Sequence, residues 1–265
     1  MTKKLIALFF IGLMAYSCAK VPLSGRRQLN LMPNSEILPM AYQQYGEVLA
    51  ESKVVTNSPE GQKVVRVGQN MANAVETYLK EIGYTEILEG FAWEFNLIES
   101  DQVNAWCMPG GKVAFYTGIL PICEDEAGIA VVMGHEIAHA VASHGRERMS
   151  NQMAINGLLG GVQVAMGQDP NLTQAIFMQA IGAGGQLGML QFSRNHELEA
   201  DRLGLIFMSI AGYDPREAPG FWERMSAGAG QSPPEFLSTH PGPGRRIEEL
   251  NKQMPEALEY YNKNK

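Results

Sequence analysis

Residues 127–143 read AGIAVVMGHEIAHAVAS, a run of small and apolar residues interrupted by the ionisable side chains of His135, Glu136 and His139. A helix of this composition is apolar on every face and belongs in a protein core. The i, i+4 spacing of the two histidines puts both imidazoles on one face, one turn apart, where both can bind one metal ion. Glu136 lies beside them, positioned to take a proton from a water molecule that the metal activates. The stretch therefore predicts a buried helix that carries a metal site.

A catalytic zinc site takes a third ligand from the protein, and this helix does not supply it. His144 follows His139 by five residues, which is the wrong helical phase. The acidic stretch SRNHELEAD at residues 193–201 is the candidate. Helical spacing puts Glu197 and Asp201 on one face, so that one carboxylate can bind the metal while the other accepts a hydrogen bond from a ligating imidazole. Spacing alone does not choose the ligand among Glu197, His196 and Glu199.

The residues His135, Glu136 and His139 form the pattern HExxH, where x is any residue. The alternative interpretation of this pattern is a pair of hydrogen-bonded core histidines next to a carboxylate, without a metal. Buried polar groups need partners in either case. Two clusters of metal-ligating residue types, at 135–139 and 193–201, favour the metal site, because the second supplies what the first lacks.

The rest of the chain predicts a mainly helical α+β fold. Capping residues and apolar spacing predict helices over 34–51 and 59–80, and alternation around Phe95 predicts a strand. Two short apolar runs, 103–108 and 112–116, flank a Pro-Gly-Gly turn and predict a hairpin. Further helices are predicted at about 124–144, 146–166, 171–187, 190–211 and 215–227.

One long stretch, residues 149–193, has Asp169 as its single charged residue and is rich in glycine and methionine. One interpretation is an apolar lid or a membrane-facing element near the site. The favoured interpretation is a buried pair of helices loosened by glycines. Gln, Asn and Asp interrupt its apolar runs, so we do not expect it to span a bilayer.

The N-terminal residues carry the features of an export signal. Lys3 and Lys4 precede an apolar run that is too short to span a bilayer. The run ends Ala-Tyr-Ser-Cys and resembles a loose bacterial lipobox, in which Cys18 becomes the lipidated N-terminus of the mature chain. The alternatives are an ordinary signal peptide or an uncleaved anchor, with Cys18 incidental. The predicted organisation is a signal peptide over 1–17, a lipid-attached tether with little regular structure over 18–33, and one metallopeptidase domain over 34–265.

Composition excludes one class of partner and leaves one covalent bond open. The formal net charge is −7, without the clustered basic residues that nucleic acid requires, so we expect no nucleic-acid binding. Cys107 and Cys123 either form a disulfide, which an exported protein allows, or remain as small buried residues. The sequence does not decide between the two.

The motifs resemble those of a known family. HEIAHAVASHGRER at 135–148, followed by RNHELEAD at 194–201, is similar to the gluzincin metallopeptidase family that holds the CAAX prenyl endopeptidases, the HtpX proteases and mitochondrial inner-membrane stress proteases. PLSGRRQL at 22–29, NAW at 104–106, and STHP at 238–241 with Arg246 resemble its branch of bacterial periplasmic lipoproteins, typified by BepA and LoiP. The resemblance extends from about residue 22 to about residue 250 and implies a zincin-like fold, with the small sheet packed near the HExxH helix.

The resemblance implies a role for each matching residue. It implies one Zn²⁺ per chain, held by His135, His139 and Glu197, with Asp201 orienting a ligand and Glu136 as the general base. Asn104 and Ala105 are expected to bind substrate backbone along a strand edge. Two residues near the C-terminus keep alternatives: His240 is either a removable fourth ligand that holds the enzyme latent or a loop residue, and Arg246 either stabilises the oxyanion or pairs with a carboxylate.

The expected function is that of a zinc-dependent endopeptidase that cleaves misfolded or misassembled envelope proteins. The expected location is the bacterial cell envelope, with a lipid anchor in the outer membrane and the domain facing the periplasm. The first alternative is an envelope chaperone or assembly factor with little proteolytic activity. The second is a zinc peptidase that processes one small, defined peptide.

Overall fold

The computed structural model describes residues 18–21, 24–160, 193–227, 237, 240 and 243–264. Three predictions lie outside the described residues. They are the signal peptide over 1–17, the helix over 171–187, and the choice between a lid and a buried pair for most of 149–193.

Among the described residues the α+β prediction is confirmed, because helices surround a small sheet. The strands are β1 Cys18–Lys20, β2 Arg27–Leu29, β3 Glu94–Ile98, β4 Ala105–Met108 and β5 Lys112–Tyr116. The helices are α1 Asn34–Glu51, α2 Pro59–Glu81, α3 Leu120–Cys123, α4 Glu126–Val141, α5 His144–Gly160, α6 Arg194–Ile210, α7 Glu217–Ala227 and α8 Pro243–Lys263. None of the described helices is both long and apolar enough to cross a bilayer.

The three-stranded sheet has β5 at its centre. β5 runs parallel to β3 and antiparallel to β4, with Ala105 opposite Phe115. The predicted hairpin is therefore confirmed as β4–β5. Its turn needs glycine, since Gly110 and Gly111 have φ values of +86° and +81°, a region that residues with a Cβ rarely adopt. Among the described residues, β4 has no partner on its outer side, which leaves one strand edge next to α4.

Helix α4 lies in the core, as its apolar sequence predicts. Its first turn is capped by Asp125, whose carboxylate accepts a hydrogen bond from the Gly128 amide at 3.0 Å. From Gly128 to Val141 every residue except Ala140 is buried. The helix packs against α2 on one side and α6 on another, so its two histidines lie deep in the domain.

The backbones of α4 and α6 touch where Gly134 and Gly204 meet. A Cβ placed on Gly204 would lie 2.8 Å from both the carbonyl carbon of Gly134 and the amide nitrogen of His135. Side chains larger than hydrogen at either position would force the helices apart. This close crossing is what brings the first turn of α6 within reach of the HExxH residues.

We expect Gly204→Ala to destabilise the domain by about 1–3 kcal/mol, since the new methyl group meets backbone that cannot yield without moving a helix. The free energy of unfolding in urea measures this. Gly46→Ala is the matched control: Gly46 is exposed inside α1 with no atom within 4 Å of the added Cβ, so this change should stabilise by about 0.5–1 kcal/mol. Equal effects of the two changes would contradict the close packing.

Two segments differ from the sequence-based predictions. Residues 18–33 were expected to lack regular structure, yet β1 and β2 pair antiparallel, and Val21, Gln28 and Met32 are buried. No helix was predicted after residue 227, yet α8 begins at Pro243. Proline is compatible with the first turn of a helix, where its missing N–H is not needed. The amphipathic sequence that follows packs against α6 and α7, which stabilises the helix.

Candidate active site

Four side chains from three parts of the chain converge in the core. They are His135 and His139 of α4, Glu197 of α6, and His240, and one ligand atom from each lies within 4.8 Å of the others. The Nε2 atoms of His135 and His139 are 3.0 Å apart, and they lie 3.6 and 3.4 Å from the carboxylate oxygens of Glu197. All four residues are buried. Within the described ranges, this is the one group of three or more His, Cys, Asp or Glu residues with such geometry.

The protonation of these groups suits a metal ion. Burial, followed by the positive charge of Arg246, lowers the pKa of His135 to about 4, and burial lowers the pKa of His139 well below its usual value. Both imidazoles are therefore neutral and can each offer a lone pair. Burial acts to raise the pKa of Glu197, but the charges of His240 and Arg246 outweigh it and hold that pKa well below its usual value. Neutral imidazoles facing an ionised carboxylate form a donor set that fits a divalent metal ion.

Asp201 fixes the tautomer of His135. Its Oδ1 lies 3.0 Å from Nδ1 of His135. Arg246 Nη2 also lies 3.1 Å from that Nδ1, but it donates to Asp201 Oδ1 at 2.5 Å. A carboxylate can only accept, so Nδ1 carries the proton and the Nε2 lone pair of His135 points at Glu197.

Arg246 links the two carboxylates of α6. Its Nε donates to Asp201 Oδ2 at 2.7 Å, and its Nη1 lies 3.0 Å from Glu197 Oε2. The guanidinium carbon lies 3.5 Å from the centre of the Trp222 ring, so the planar group is stacked as well as paired. This is the carboxylate pairing that the sequence left as an alternative. A role in stabilising an oxyanion stays a prediction.

Glu136 is buried beside the four ligand candidates. Its Oε1 lies 3.5 Å from His240 Nε2 and, among the described residues, makes no hydrogen bond. Burial raises the pKa of Glu136 to about 7, even though the charge of His240 and an N–H of Cys107 in β4 act in the opposite direction. A carboxyl group that titrates near neutral pH is suited to accept and return a proton.

His240 completes the group from the C-terminal side. Its Nδ1 lies 3.0 and 3.2 Å from the two oxygens of Glu197 and 3.2 Å from His135 Nε2. Burial acts to lower the pKa of His240, but the carboxylates of Glu197 and Glu136 raise it overall. Ser238, Thr239 and Pro241, which complete its motif, lie outside the described residues.

The predicted substrate strand lies at the expected edge. Ala105 is buried at the start of β4, and its amide donates to Asn104 Oδ1 at 2.9 Å, while the Asn104 carbonyl accepts from the Tyr116 amide. Contact of Asn104 and Ala105 with a substrate stays a prediction. Cys107 and Cys123 are both free thiols, so they form no disulfide. The side chain of Cys18 lies outside the described residues.

The structure distinguishes the three candidates of α6 for the third metal ligand. Glu197 faces the histidines, whereas His196 contacts Glu147 and Glu199 contacts His144. The helical phase of His144 predicts that it is not a ligand of the same metal, and His144 is not in the ligand group. However, α4 ends at Val141, and this ending lets His144 turn back so that its Nδ1 lies 2.8 Å from Nδ1 of His139. The end of the apolar run was the signal that could have indicated this contact.

Comparison of the sequence with known proteins gives a family match that includes the residues of the site. The model of peptidase family M48 matches residues 62–254, which include all four members of the ligand group. The mitochondrial metalloendopeptidase OMA1 of Schizosaccharomyces pombe is 34% identical over 239 residues, covering 89% of this chain and 66% of that protein.

Two further relatives come from other organisms. The human mitochondrial metalloendopeptidase OMA1 is 29% identical over 245 residues, covering 89% of this chain and 46% of that protein. The beta-barrel assembly-enhancing protease of Escherichia coli K12 is 34% identical over 162 residues, covering 58% of this chain and 33% of that protein. The chain therefore spans between a third and two thirds of the length of these three relatives.

Proposed function

The chain belongs to peptidase family M48 and is by family a metalloendopeptidase, and from this premise we propose that it is a zinc-dependent endopeptidase acting on misfolded or misassembled proteins of the bacterial cell envelope. The observation that carries the proposal is the convergence of His135, His139 and Glu197, with Glu136 beside them and its Oε1 not hydrogen-bonded to any described residue. Two imidazoles and one carboxylate are a usual ligand set for catalytic zinc.

His135, His139 and Glu197 would hold the zinc, which when bound supplies a Lewis acid that polarises the scissile carbonyl and lowers the pKa of water. Glu136 takes the proton from the attacking water and returns it to the leaving amine, a role that suits its pKa of about 7. Arg246 Nη1 faces Glu197 Oε2 at 3.0 Å and carries two N–H groups, so the one not directed at that oxygen can support the oxyanion. The outer edge of β4, which no described strand covers, can pair with an extended substrate without strong side-chain preference.

The proposed location rests on the N-terminal sequence. The relatives include mitochondrial proteins and an E. coli protease, so family membership alone does not assign a compartment. Lys3 and Lys4, the apolar run that follows and Ala-Tyr-Ser-Cys18 support export and lipid attachment at Cys18. Lys20 lies two residues after that cysteine. By resemblance to lipoprotein sorting rules, a basic residue there favours a lipid anchor in the outer membrane, with the domain facing the periplasm. The E. coli relative is named for enhancing β-barrel assembly, which supports unfolded or misassembled proteins as substrates. The resemblance of residues 22–29 to periplasmic lipoproteins such as LoiP and BepA supports an envelope location for those substrates.

A direct test is casein cleavage by the purified full chain, with and without a zinc chelator. The proposal expects cleavage that the chelator abolishes and added Zn²⁺ restores. Suppressed aggregation of an unfolded protein without any cleavage would instead support a chaperone or assembly factor. Comparing envelope proteomes of cells that carry wild-type and inactive chains would then identify substrates as proteins that accumulate with the inactive chain.

His240 is proposed to hold the enzyme latent, because its Nδ1 lies among the ligand atoms and its Nε2 faces Glu136. We expect His240→Ala to raise the cleavage rate about 5- to 30-fold, as expected when a contact of about 1–2 kcal/mol that opposes the active state is lost. Initial rates of casein cleavage at equal zinc content measure this. A rate equal to or below that of the wild-type chain would contradict latency.

A further inference from the structure

A second buried cluster lies behind His139, on the side away from Glu197. Nδ1 of His139 lies 2.8 Å from Nδ1 of His144, and Nε2 of His144 lies 3.0 Å from Oε2 of Glu199. The His144 ring is fully buried. The two rings therefore form a chain of contacts from a proposed metal ligand to a carboxylate.

Only one arrangement of protons satisfies this chain. Glu199 can only accept, so His144 must carry its proton on Nε2, and its Nδ1 then has a lone pair. That lone pair accepts from Nδ1–H of His139, which leaves the Nε2 lone pair of His139 facing Glu197. The opposite arrangement would place a proton on Nε2 of His139, where the metal has to bind. The pair of contacts thus fixes the tautomer that a metal ligand needs.

The carboxylate at the end of this chain is held by the N-terminal segment. Arg26 donates from Nε to Oε2 of Glu199 at 2.8 Å, and the hydroxyl of Ser24 also donates to Glu199. Oε2 of Glu199 thus accepts hydrogen bonds from both His144 and Arg26, as a carboxylate does, and this holds the proton of His144 on Nε2.

Arg26 is itself fixed by a second carboxylate. Its Nη1 donates to Oε1 of Glu147 at 2.8 Å, and Oε2 of Glu147 lies 3.0 Å from Nε2 of His196. The rings of His196 and His144 are stacked, with centroids 4.3 Å apart. Because the guanidinium pairs with both carboxylates, this cluster is an ion-pair network and not a second metal site.

We infer that Arg26, acting through Glu199 and His144, is a positioning residue for His139, so that docking of the N-terminal hairpin (β1, β2 and residues 24–26) completes the metal site. The inference rests on the proposed function in one respect, that His139 binds the metal. The hairpin begins at Cys18, the proposed site of lipid attachment, so three consecutive contacts connect the anchored end of the chain with a metal ligand.

The test measures metal affinity instead of activity alone. Zn²⁺ affinity of the full chain is determined by competition with a chromogenic chelator, and the absorption spectrum of the Co²⁺-loaded protein reports the ligand geometry. We expect Arg26→Ala to shift the Co²⁺ bands and to weaken Zn²⁺ binding, by no more than the roughly 10- to 100-fold that loss of a direct partner of a ligand costs, because Arg26 acts on His139 through Glu199 and His144. Arg27→Ala is the matched control, since Arg27 is exposed on the same hairpin, and it should match the wild-type chain in both measurements.

A second pair of variants tests the middle of the chain. His144→Phe should weaken binding at least as much as Arg26→Ala, whereas His144→Asn, whose side-chain oxygen can still accept from His139 Nδ1–H, should recover most of the loss. Thermal unfolding of the metal-free proteins shows whether each variant is folded. Unchanged affinity and spectra in folded Arg26→Ala would overturn the inference alone. A wild-type chain that binds metal but cuts no casein would overturn the proposed function alone, and one that binds no metal would overturn both.

Discussion

Replacing Glu136 by glutamine is expected to lower the rate of peptide-bond hydrolysis by about 10²- to 10⁴-fold while metal affinity stays close to that of the wild-type chain. Glutamine has nearly the shape of glutamate but cannot take a proton. The carboxylate is suited to that task because burial raises its pKa to about 7, and because Oε1 makes no hydrogen bond among the described residues. The measurement is kcat/KM on a casein-derived peptide, with zinc content determined on the same preparation.

Glu126→Gln is the matched control, because Glu126 lies in the first turn of the same helix and its side chain pairs with Arg66 at the surface. A surface ion pair contributes at most about 1 kcal/mol, so this change should leave kcat/KM unaltered. Wild-type activity in Glu136→Gln would remove Glu136 from the mechanism. Loss of zinc together with activity would instead indicate a structural role for the carboxylate.

Local sequence patterns were sufficient to predict the helices that carry and surround the site. The apolar run around the HExxH pattern predicted a buried helix, and α4 is buried from Gly128 onward. Ser58 and Pro59 predicted the start of α2, where the Ser58 hydroxyl accepts from the Gly61 amide. These predictions are confirmed because the start of a helix and the periodicity of its apolar residues both depend on neighbours within a few residues.

Contacts between distant residues were not readable in the same way. Arg26 and Glu199 are 173 positions apart, and nothing in the spacing of either stretch indicates that they pair. The same holds for Arg246, whose partners Glu197 and Asp201 are set by how α8 packs on α6. α8 itself was missed because its first residues lie in a Gly- and Pro-rich region, although its later sequence is amphipathic.

The role of Glu197 could be predicted only in part from the sequence. Helical spacing placed Glu197 and Asp201 on one face, but could not choose Glu197 over His196 or Glu199. What decides the choice is the crossing of α4 and α6 at Gly134 and Gly204, a contact between backbones that leaves no periodic signal. The crossing turns Glu197 towards the imidazoles and turns the other two candidates towards Glu147 and His144.

Replacing Glu197 by glutamine is expected to weaken zinc binding by more than the roughly 100-fold that loss of a partner behind a ligand costs, and to abolish casein cleavage. The carboxylate supplies the one negative charge among the proposed ligands, and its oxygens lie 3.4 and 3.6 Å from the two imidazole Nε2 atoms. Loss of this carboxylate also removes a buried negative charge that faces Arg246 and His240. The metal-free protein should therefore lose about 3–5 kcal/mol of stability. Competition titration and thermal unfolding measure the two effects.

Glu197→Asp separates the ligand role from the charge. Aspartate keeps the negative charge near Arg246 and His240, so much of the stability of the metal-free protein should return. Its side chain is shorter by one methylene, so the oxygens withdraw from the histidines of α4 and zinc affinity should stay low. Recovery of affinity together with stability would mean that Glu197 acts through charge alone. Wild-type zinc affinity in Glu197→Gln would place the third ligand elsewhere, with His240 next in line, because its Nδ1 lies 3.2 Å from His135 Nε2.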